Sequence, residues 1–412
     1  MQLNERIAKA IDDLQQGKMI ILIDDPDREN EGDLIIPAEN ITAEMINFMI
    51  RYGSGIVCLS MTEEQLTKLN LPLMMAAHSN TSLRGTPFTV SIDAKYGITT
   101  GVSATDRAHT IKTVINDYAQ PDDIVKPGHV FPLQAKRGGV LECQGHTEGA
   151  IDIVRLAGFK PAAVLCEIMN IDGSMASGSQ LITFAKEHGL TTLAISDLVT
   201  YRLSHENMIE DEVTTTIPLE KYGDFQMTVI KEKITQLEHV VLVKKGFGAK
   251  PLVRIHSSCT TGDLFASQRC NCHTELHYSL KHISEEGGIL IYLNQEGRGI
   301  GLLNKIKAYV LQDQGLDTVE ANKHLGLPID ARQYSIAANI LRHLKIDHLR
   351  LLTNNPNKIT DLQKYGMIEV IREPLPSFHN EYNYHYLKVK KEKLNHLIQL
   401  SSDTAGLENA GS

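Results

Sequence analysis

The stretch PLVRIHSSCTTGDLFASQRCNCHTELHYSLKHISEEGGILIYL, residues 251–293, decides how the fold is read. Residues 251–256 read as a strand, 274–286 follow helical spacing, and 289–293, ILIYL, read as a second strand. Between the first strand and the helix lie Cys259, Cys270 and Cys272, within fourteen residues. Thiolates at this density point to zinc. A structural zinc takes four protein ligands, and no second CxxC pair follows. Three protein ligands leave one position for water, which is how a catalytic zinc is built, so hydrolysis by zinc-bound water is the chemistry expected. Downstream, NQEGRGIGLLNKIKAYVLQDQG (294–315) is dense in groups that suit a phosphorylated substrate.

The same alternation extends outward. In the second half, 225–231, 239–244, 349–353 and 367–371 read as strands, and 300–313 and 333–344 as helices. In the first half, strands are expected at 19–23 (MIILI), 33–36, 88–94 (FTVSIDA) and 162–170, with helices at 106–116, 147–157 and 178–188. Helices and strands mix throughout, so the expected fold class is α/β with α+β character, as two mixed α/β domains in tandem. The first domain is expected over 1–203. The polar, acidic SHENMIEDE (204–212) reads as a linker, and the second domain as 213–376. Residues 377–412 form a C-terminal extension whose end, SSDTAGLENAGS, is small, polar and expected to be disordered.

A chain of 412 residues exceeds one ordinary domain. Net charge is −9 and no long basic block occurs, which excludes nucleic acid as an expected partner. No run of eighteen apolar residues is present, so no membrane helix is expected. The N-terminal MQLNERIAKAIDDL reads as an amphipathic helix rather than a signal core, which points to the cytoplasm. There the six cysteines are expected to be reduced, metal-bound or catalytic.

The first half carries its own constellation. DDPDRENEGD (24–33) places six acidic side chains in ten residues at the end of an apolar strand. A solvated acidic turn would look the same, but strand ends are where α/β proteins build sites. Clustered carboxylates suit Mg²⁺, and Arg28 among them offsets repulsion or reaches a phosphate. PGHVFPL (127–133) and GGVLECQGHTEGAIDI (138–153) each place a histidine after glycine. His146 precedes a helix with Thr147 as its expected N-cap, and the amides of that helix start would attract phosphate.

These motifs, together with GITTGVSATDRAHTI and the CEI of 166–168, resemble in order 3,4-dihydroxy-2-butanone-4-phosphate synthase. The resemblance implies ribulose 5-phosphate as substrate, and formate and a four-carbon ketone phosphate as products. It implies Glu29 and His146 as Mg²⁺ ligands, and His129 and Glu167 in proton transfer. The substrate would be held by Arg28, Glu29, Asp33, the run Cys143, Gln144, Gly145, His146 and Thr147, and Glu167, with Cys58 near the sugar. It also implies a homodimer. The chain departs from the pattern where arginine is usual, at Gln134 and Cys143, and in MASGSQ (175–180).

In the second half, RIHSSCTTGD, RCNC, NQEGRGIGL, AYVLQDQGLDTVEAN, LLTNNPNK and IREPL resemble GTP cyclohydrolase II over roughly 210–375. A dinucleotide-binding reading of GRGIG fails, because no suitable acidic residue closes a strand–helix–strand unit. The resemblance implies Cys259, Cys270 and Cys272 as ligands of one Zn²⁺. It implies GTP held by Arg254, Ile255, His256, Ser257, Ser258, Glu275, Glu296, Gly297, Arg298, Thr318, Thr353 and Lys358, with Mg²⁺ on the triphosphate. Asp330 would accept a proton, Arg332 would act as the nucleophile at the α-phosphate, and Tyr309 would assist at the opening ring. Departures are Ser258, Asn271, His273, Glu275 and Gln333. His273, beside Cys272, offers an imidazole that could close the metal site.

The expected function is therefore a two-domain enzyme of riboflavin biosynthesis. Two alternatives stay open on sequence alone. The synthase half could be an inactive structural or regulatory module, or the chain could serve another guanine-nucleotide pathway.

Overall fold

The computed structural model describes residues 2–400, so the tail expected to be disordered lies outside the described residues. The chain divides into two compact units, Met1–Arg202 and Leu203–Ser412. Each is built on a seven-stranded mixed sheet, the tandem α/β architecture expected.

The first sheet comprises β1 (Ile20–Ile23), β2 (Gly32–Pro37), β3 (Cys58–Met61), β4 (Ile92–Ala94), β5 (Ile124–Gln134), β6 (Ala162–Glu167) and β7 (Thr191–Ala194). Their order is β4-β5-β3-β6-β2-β1-β7. The central strands are apolar at nearly every position because both faces are covered. Ile21, Leu34, Ile36, Leu59 and Val164 pack on one face, against Ile111 and Val114 of the helix Ala104–Val114. Ile20, Leu22, Ile35, Cys58 and Leu165 alternate with them onto the other face. There they meet Ile7, Ala10 and Leu14 of the helix Leu3–Gln15, and Ile153 and Val154 of the helix His146–Leu156.

The second sheet comprises β8 (Ile209–Leu219), β9 (Gly223–Glu232), β10 (Glu238–Lys244), β11 (Leu252–Ser257), β12 (Gly288–Leu293), β13 (His348–Leu352) and β14 (Glu369–Glu373), in the order β14-β13-β11-β12-β10-β9-β8. β11 runs parallel to both β12 and β13, and β13 parallel to β14. The opening stretch is thus a strand–helix–strand crossover, β11, helix Cys272–Glu286 and β12, with its cysteines in the first connection and at the helix start.

Three expectations need correction. FTVSIDA is a strand only at β4, because the residues before it pair alternately with two segments: Val90 N–H donates to the Pro72 carbonyl and Thr89 N–H to that of Pro132. β5 was seen only as a motif, since Pro127, Gly128 and Pro132 mask its strand pattern. The polar linker over 204–212 is largely regular structure. The helix Ile195–His205 ends and β8 begins within it, leaving only 206–208 between. β8 lies at the sheet edge and is exposed along most of its length, so no buried face imprints alternation on its sequence. Among the described residues no helix is long and apolar enough to cross a membrane.

Candidate active sites

In the second unit, the side chains expected to act hang from the carboxyl ends of parallel strands. Cys259 follows β11, Glu296 follows β12, and Thr353 follows β13. This is where open α/β sheets collect ligands, because loops diverge there and leave a crevice. Here residues from the ends of all three strands line one crevice open to solvent.

The thiols of Cys259, Cys270 and Cys272 offer ligand atoms that all lie within 4.8 Å of one another. The turn that brings them together needs Gly262: a Cβ there would come within 2.9 Å of the Cys270 sulfur and 3.1 Å of that of Cys259. Asp263 fixes the loop to the sheet. Its carboxylate accepts from the Cys259 amide at 3.0 Å and the Tyr292 hydroxyl at 2.8 Å, and pairs with His256 at 3.1 Å. Hydrogen bonds from Cys270 and Cys272 hold the Cys259 thiol far below its usual range, and the Lys305 ammonium, 3.1 Å away, adds to this. The same crowding pushes Cys272 well up. Three thiols in mutual contact, one of them readily ionised, fit a thiophilic cation with one coordination position left for another group. His273 does not join the metal group: its ring lies 4.3 Å from that of His277 and its buried Nδ1 has no partner among the described residues.

The rest of the crevice suits a polyanion. Arg254, Arg298, Lys305, Arg332, Lys358 and Lys390 line it, against the carboxylates of Glu275 and Glu296. Arg254 donates to Glu275 at 2.6 Å, and Asn271 to its other oxygen at 2.7 Å. Burial alone would raise the Glu275 pKa, but Arg254, with Lys390, His256 and Lys358, lowers it to about 2. Glu275 therefore faces the crevice as a neutralised pair. Burial, then Arg254 and Arg332, drive the Lys358 ammonium well below its ordinary pKa; it donates to the Ile255 carbonyl at 2.7 Å. The Arg254 Nε, the Ser257 and Ser258 hydroxyls and an Arg298 Nη are buried without hydrogen-bond partners among the described residues, a set of donors suited to an anionic ligand. Glu296 is fully engaged: Thr260 donates to one oxygen through its amide and hydroxyl, and Gly297 N–H and Lys305 to the other.

The residues expected here come together with few exceptions. Arg254, His256, Ser257, Ser258, Glu275, Glu296, Gly297, Arg298, Tyr309, Thr318, Arg332, Thr353 and Lys358 all line the crevice. Ile255 contributes only its backbone, since its side chain is in the core. Asp330 stands behind Arg332, bound to its Nε at 2.8 Å. The N-cap of the helix Thr318–His324 is Asp317, which frees Thr318 for the crevice. Sequence reasoning missed Lys305, Asp263, Tyr386, Lys390 and His396. The last three belong to the C-terminal extension and carry no motif.

The second candidate site sits at the hairpin between β1 and β2. Asp24 closes this loop, accepting from the amides of Glu31 at 2.9 Å and Glu29 at 3.1 Å and from Arg28 Nη1 at 2.9 Å. Asp24, Glu29 and His146 offer ligand atoms within 4.8 Å of one another. Asp33 lies 3.9 Å from the His146 ring, and burial, then Glu167 and the loop carboxylates, push its pKa far up. Asp33 Oδ1 and His146 Nε2 are buried without hydrogen-bond partners among the described residues. A group of hard oxygens and a neutral imidazole with unsatisfied atoms fits a divalent cation.

Here too the placement amends expectations. Thr147 does not cap its helix. The helix starts at His146, with Gly145 as N-cap and no side-chain bond. A Cβ at Gly145 would meet Glu148 at 2.8 Å and Arg28 at 3.1 Å, so a larger residue there would push both side chains aside. Cys143 is half-buried beside Glu148 and Arg28, Gln144 is exposed, and Cys58 lies in the sheet core. His129 is outside the metal group, its ring 2.7 Å from Asp93. Glu167 accepts from the Ile56 amide at 2.8 Å, and Gly55 is required there because a Cβ would come within 2.5 Å of that carboxylate. Missed by sequence were Asp24 as a member of the metal group and Arg84, which reaches from a neighbouring loop to the Arg28 carbonyl and lies 3.8 Å from Glu29.

Fold and sites together define a two-domain α/β enzyme with a candidate site in each unit. Residues 8–201 match the family model of 3,4-dihydroxy-2-butanone 4-phosphate synthase, and 210–374 that of GTP cyclohydrolase II. The chain belongs to the family of bifunctional riboflavin biosynthesis proteins in which these two domains are fused. It is 50% identical over 398 residues to riboflavin biosynthesis protein RibBA of Aquifex aeolicus, covering 95% of this chain and 97% of that protein. It is 48% identical over 402 residues to RibBA of Parabacteroides distasonis, covering 97% and 98%. Among solved structures it is similar to RibBX, a two-domain 3,4-dihydroxy-2-butanone 4-phosphate synthase from A. baumannii. The TM-score is 0.66 and the identity 35%, covering 90% of this chain and 99% of that one. The alternatives of an inactive first half or another guanine-nucleotide pathway find no support in these matches.

Proposed function

We propose that each unit releases formate from its own phosphorylated substrate, both for riboflavin biosynthesis. The second hydrolyses GTP to 2,5-diamino-6-(ribosylamino)pyrimidinone 5'-phosphate, formate and diphosphate. The first converts ribulose 5-phosphate to 3,4-dihydroxy-2-butanone 4-phosphate and formate. The observation that carries this is the trio of thiols at the end of β11, opening onto a crevice rich in cations.

In the second unit, Cys259, Cys270 and Cys272 would hold Zn²⁺, which supplies a Lewis acid able to activate water for attack on guanine C8. Arg254, Arg298 and Lys358 receive the triphosphate and its Mg²⁺. Arg332, oriented by Asp330, addresses the α-phosphate, and Asp330 takes up a proton. Tyr309, whose hydroxyl burial keeps protonated, stands ready to donate at the opening ring. Glu296 meets the guanine donors when the Thr260 hydroxyl turns away from it.

In the first unit, Glu29 and His146, with Asp24 behind them, would hold Mg²⁺, which supplies charge stabilisation for an enediolate. Asp33, whose carboxyl burial and neighbouring carboxylates push toward the neutral form, binds a sugar oxygen. Glu167 and His129 move protons, and Arg28 is the cation closest to the metal group for the phosphate. The setting proposed is the cytoplasm, whose reducing conditions would keep the six free cysteines as thiols, and the assembly proposed is a homodimer.

The test supplies the purified chain with Zn²⁺ and Mg²⁺ and follows formate from GTP and from ribulose 5-phosphate in separate reactions. Formate is expected from both. In Cys270→Ser, bound zinc and formate from GTP should be lost while the ribulose 5-phosphate reaction persists. Formate from neither substrate in the parent chain would overturn the reading.

A further inference from the structure

The family match ends at residue 374, yet the crevice of the second unit does not. Its remaining wall is the helix Tyr384–Lys393 and the turn after it, which bring Tyr386, Lys390, His396 and Ile398 onto the lining. The helix is fastened from outside the crevice. Lys393 pairs with Asp317, and lies 3.7 Å from Glu320, both at the start of the helix Thr318–His324. Leu387 and Val389 are buried, and the turn closes where Leu397 N–H donates to the Asn354 carbonyl at 2.8 Å. On the inner side, the Lys390 ammonium lies 4.5 Å from the centre of the Tyr386 ring, with no carboxylate within salt-bridge distance among the described residues. Arg298 lies 5.5 Å from the same ring centre. Burial disfavours the Lys390 charge, but Tyr386, Glu275 and Cys272 outweigh it and keep the group ionised. His396 sits where the fields of Lys390, Arg332, Lys358 and Arg298 converge. A half-buried lysine without a carboxylate partner among the described residues, facing a ring of cations, has the geometry of a group awaiting an anion.

We propose that this C-terminal helix completes the nucleotide site, and that Lys390 binds a phosphate of the substrate's triphosphate beside Arg298. The inference rests on GTP being the substrate of this unit. It assigns the extension a task in the reaction, and it explains why Lys393 latches the helix to the element that carries Thr318. Lys390 is thereby assigned to binding of the triphosphate rather than to the chemical step.

The experiment compares the parent full-length chain with Lys390→Met, Lys390→Arg and Lys388→Met, the last an exposed residue of the same helix. For each, formate release gives KM and kcat for GTP, and inhibition constants are measured for inorganic tripolyphosphate and for guanosine. Lys390→Met is expected to raise KM for GTP by about tenfold or more and to weaken tripolyphosphate by a similar factor. Guanosine inhibition should be unchanged, which also shows that the crevice is intact. Lys390→Arg should stay within about threefold of the parent, and Lys388→Met should match it. An unchanged KM in Lys390→Met overturns the proposal. So does equal weakening of guanosine and tripolyphosphate, which would make Lys390 a support for the crevice as a whole. A parent chain that yields no formate from GTP overturns the functional reading itself, and the proposal with it.

Discussion

Glu275 is the residue whose reading changes most once its neighbours are known. On sequence it adds a negative charge where a polyanion must bind. In the fold, Arg254 and Asn271 hold both its oxygens, and Arg254 is thereby detained. Glu275→Gln should release that guanidinium to the triphosphate and lower KM for GTP by about threefold to tenfold. Without nucleotide the same variant should be less stable by about 2 kcal/mol, because the buried Arg254 loses its charged partner. Thermal unfolding with and without GTP separates the two effects, and an unchanged KM would show that Arg254 is not limiting. Gly262 offers a second test. Its Cβ would lie 2.9 Å from the Cys270 sulfur, so Gly262→Ala should spread the thiols and sharply reduce zinc per chain, read by elemental analysis. Full zinc content would show that the turn yields. The cysteines were legible because ligand spacing is local in sequence. Asp24, Asp263 and Lys305 were not, since a carboxylate or ammonium becomes a site member only through partners brought in by folding.

Among the elements, strands buried on both faces declared themselves. MIILI, AAVLCE and ILIYL needed no partner to be recognised, because burial on two sides writes a continuous apolar run. β5 and β8 stayed hidden for opposite reasons, the one broken by prolines, the other exposed at an edge. The C-terminal helix was passed over because a helix that faces a polar crevice has no clear apolar stripe. Its docking should be sensitive to acid. Burial, then Lys390, Arg332, Lys358 and Arg298, lowers the His396 pKa from 6.5 to about 3. The undocked segment would take up a proton below 6.5 and the docked one only near 3. The docked state is therefore favoured fully above about pH 6.5 and progressively less as pH falls toward 3. Amide exchange over 384–398 should lose protection between about pH 7.5 and about pH 5.5 relative to the core of β11, after correction for intrinsic rates. Equal protection at both would contradict this.

At the scale of the molecule, the two chemistries should respond separately to metal removal. A thiophilic chelator with Mg²⁺ in excess should abolish formate from GTP and leave the ribulose 5-phosphate reaction within about twofold, because among the described residues the three-thiol group lies in the second unit. Parallel loss of both would mean that zinc supports the first unit as well. The described lining of the nucleotide crevice runs from Arg254 to Ile398, within Leu203–Ser412, and the hairpin metal group lies within Met1–Arg202. Neither centre borrows a described side chain from the other unit. Damage to one therefore leaves the other chemically whole, and substitutions such as Gln134 and Cys143 can accumulate in one half without a matching change in its neighbour. Natural selection meets this chain as two enzymes bound by one peptide, tied in copy number and free to drift apart in quality.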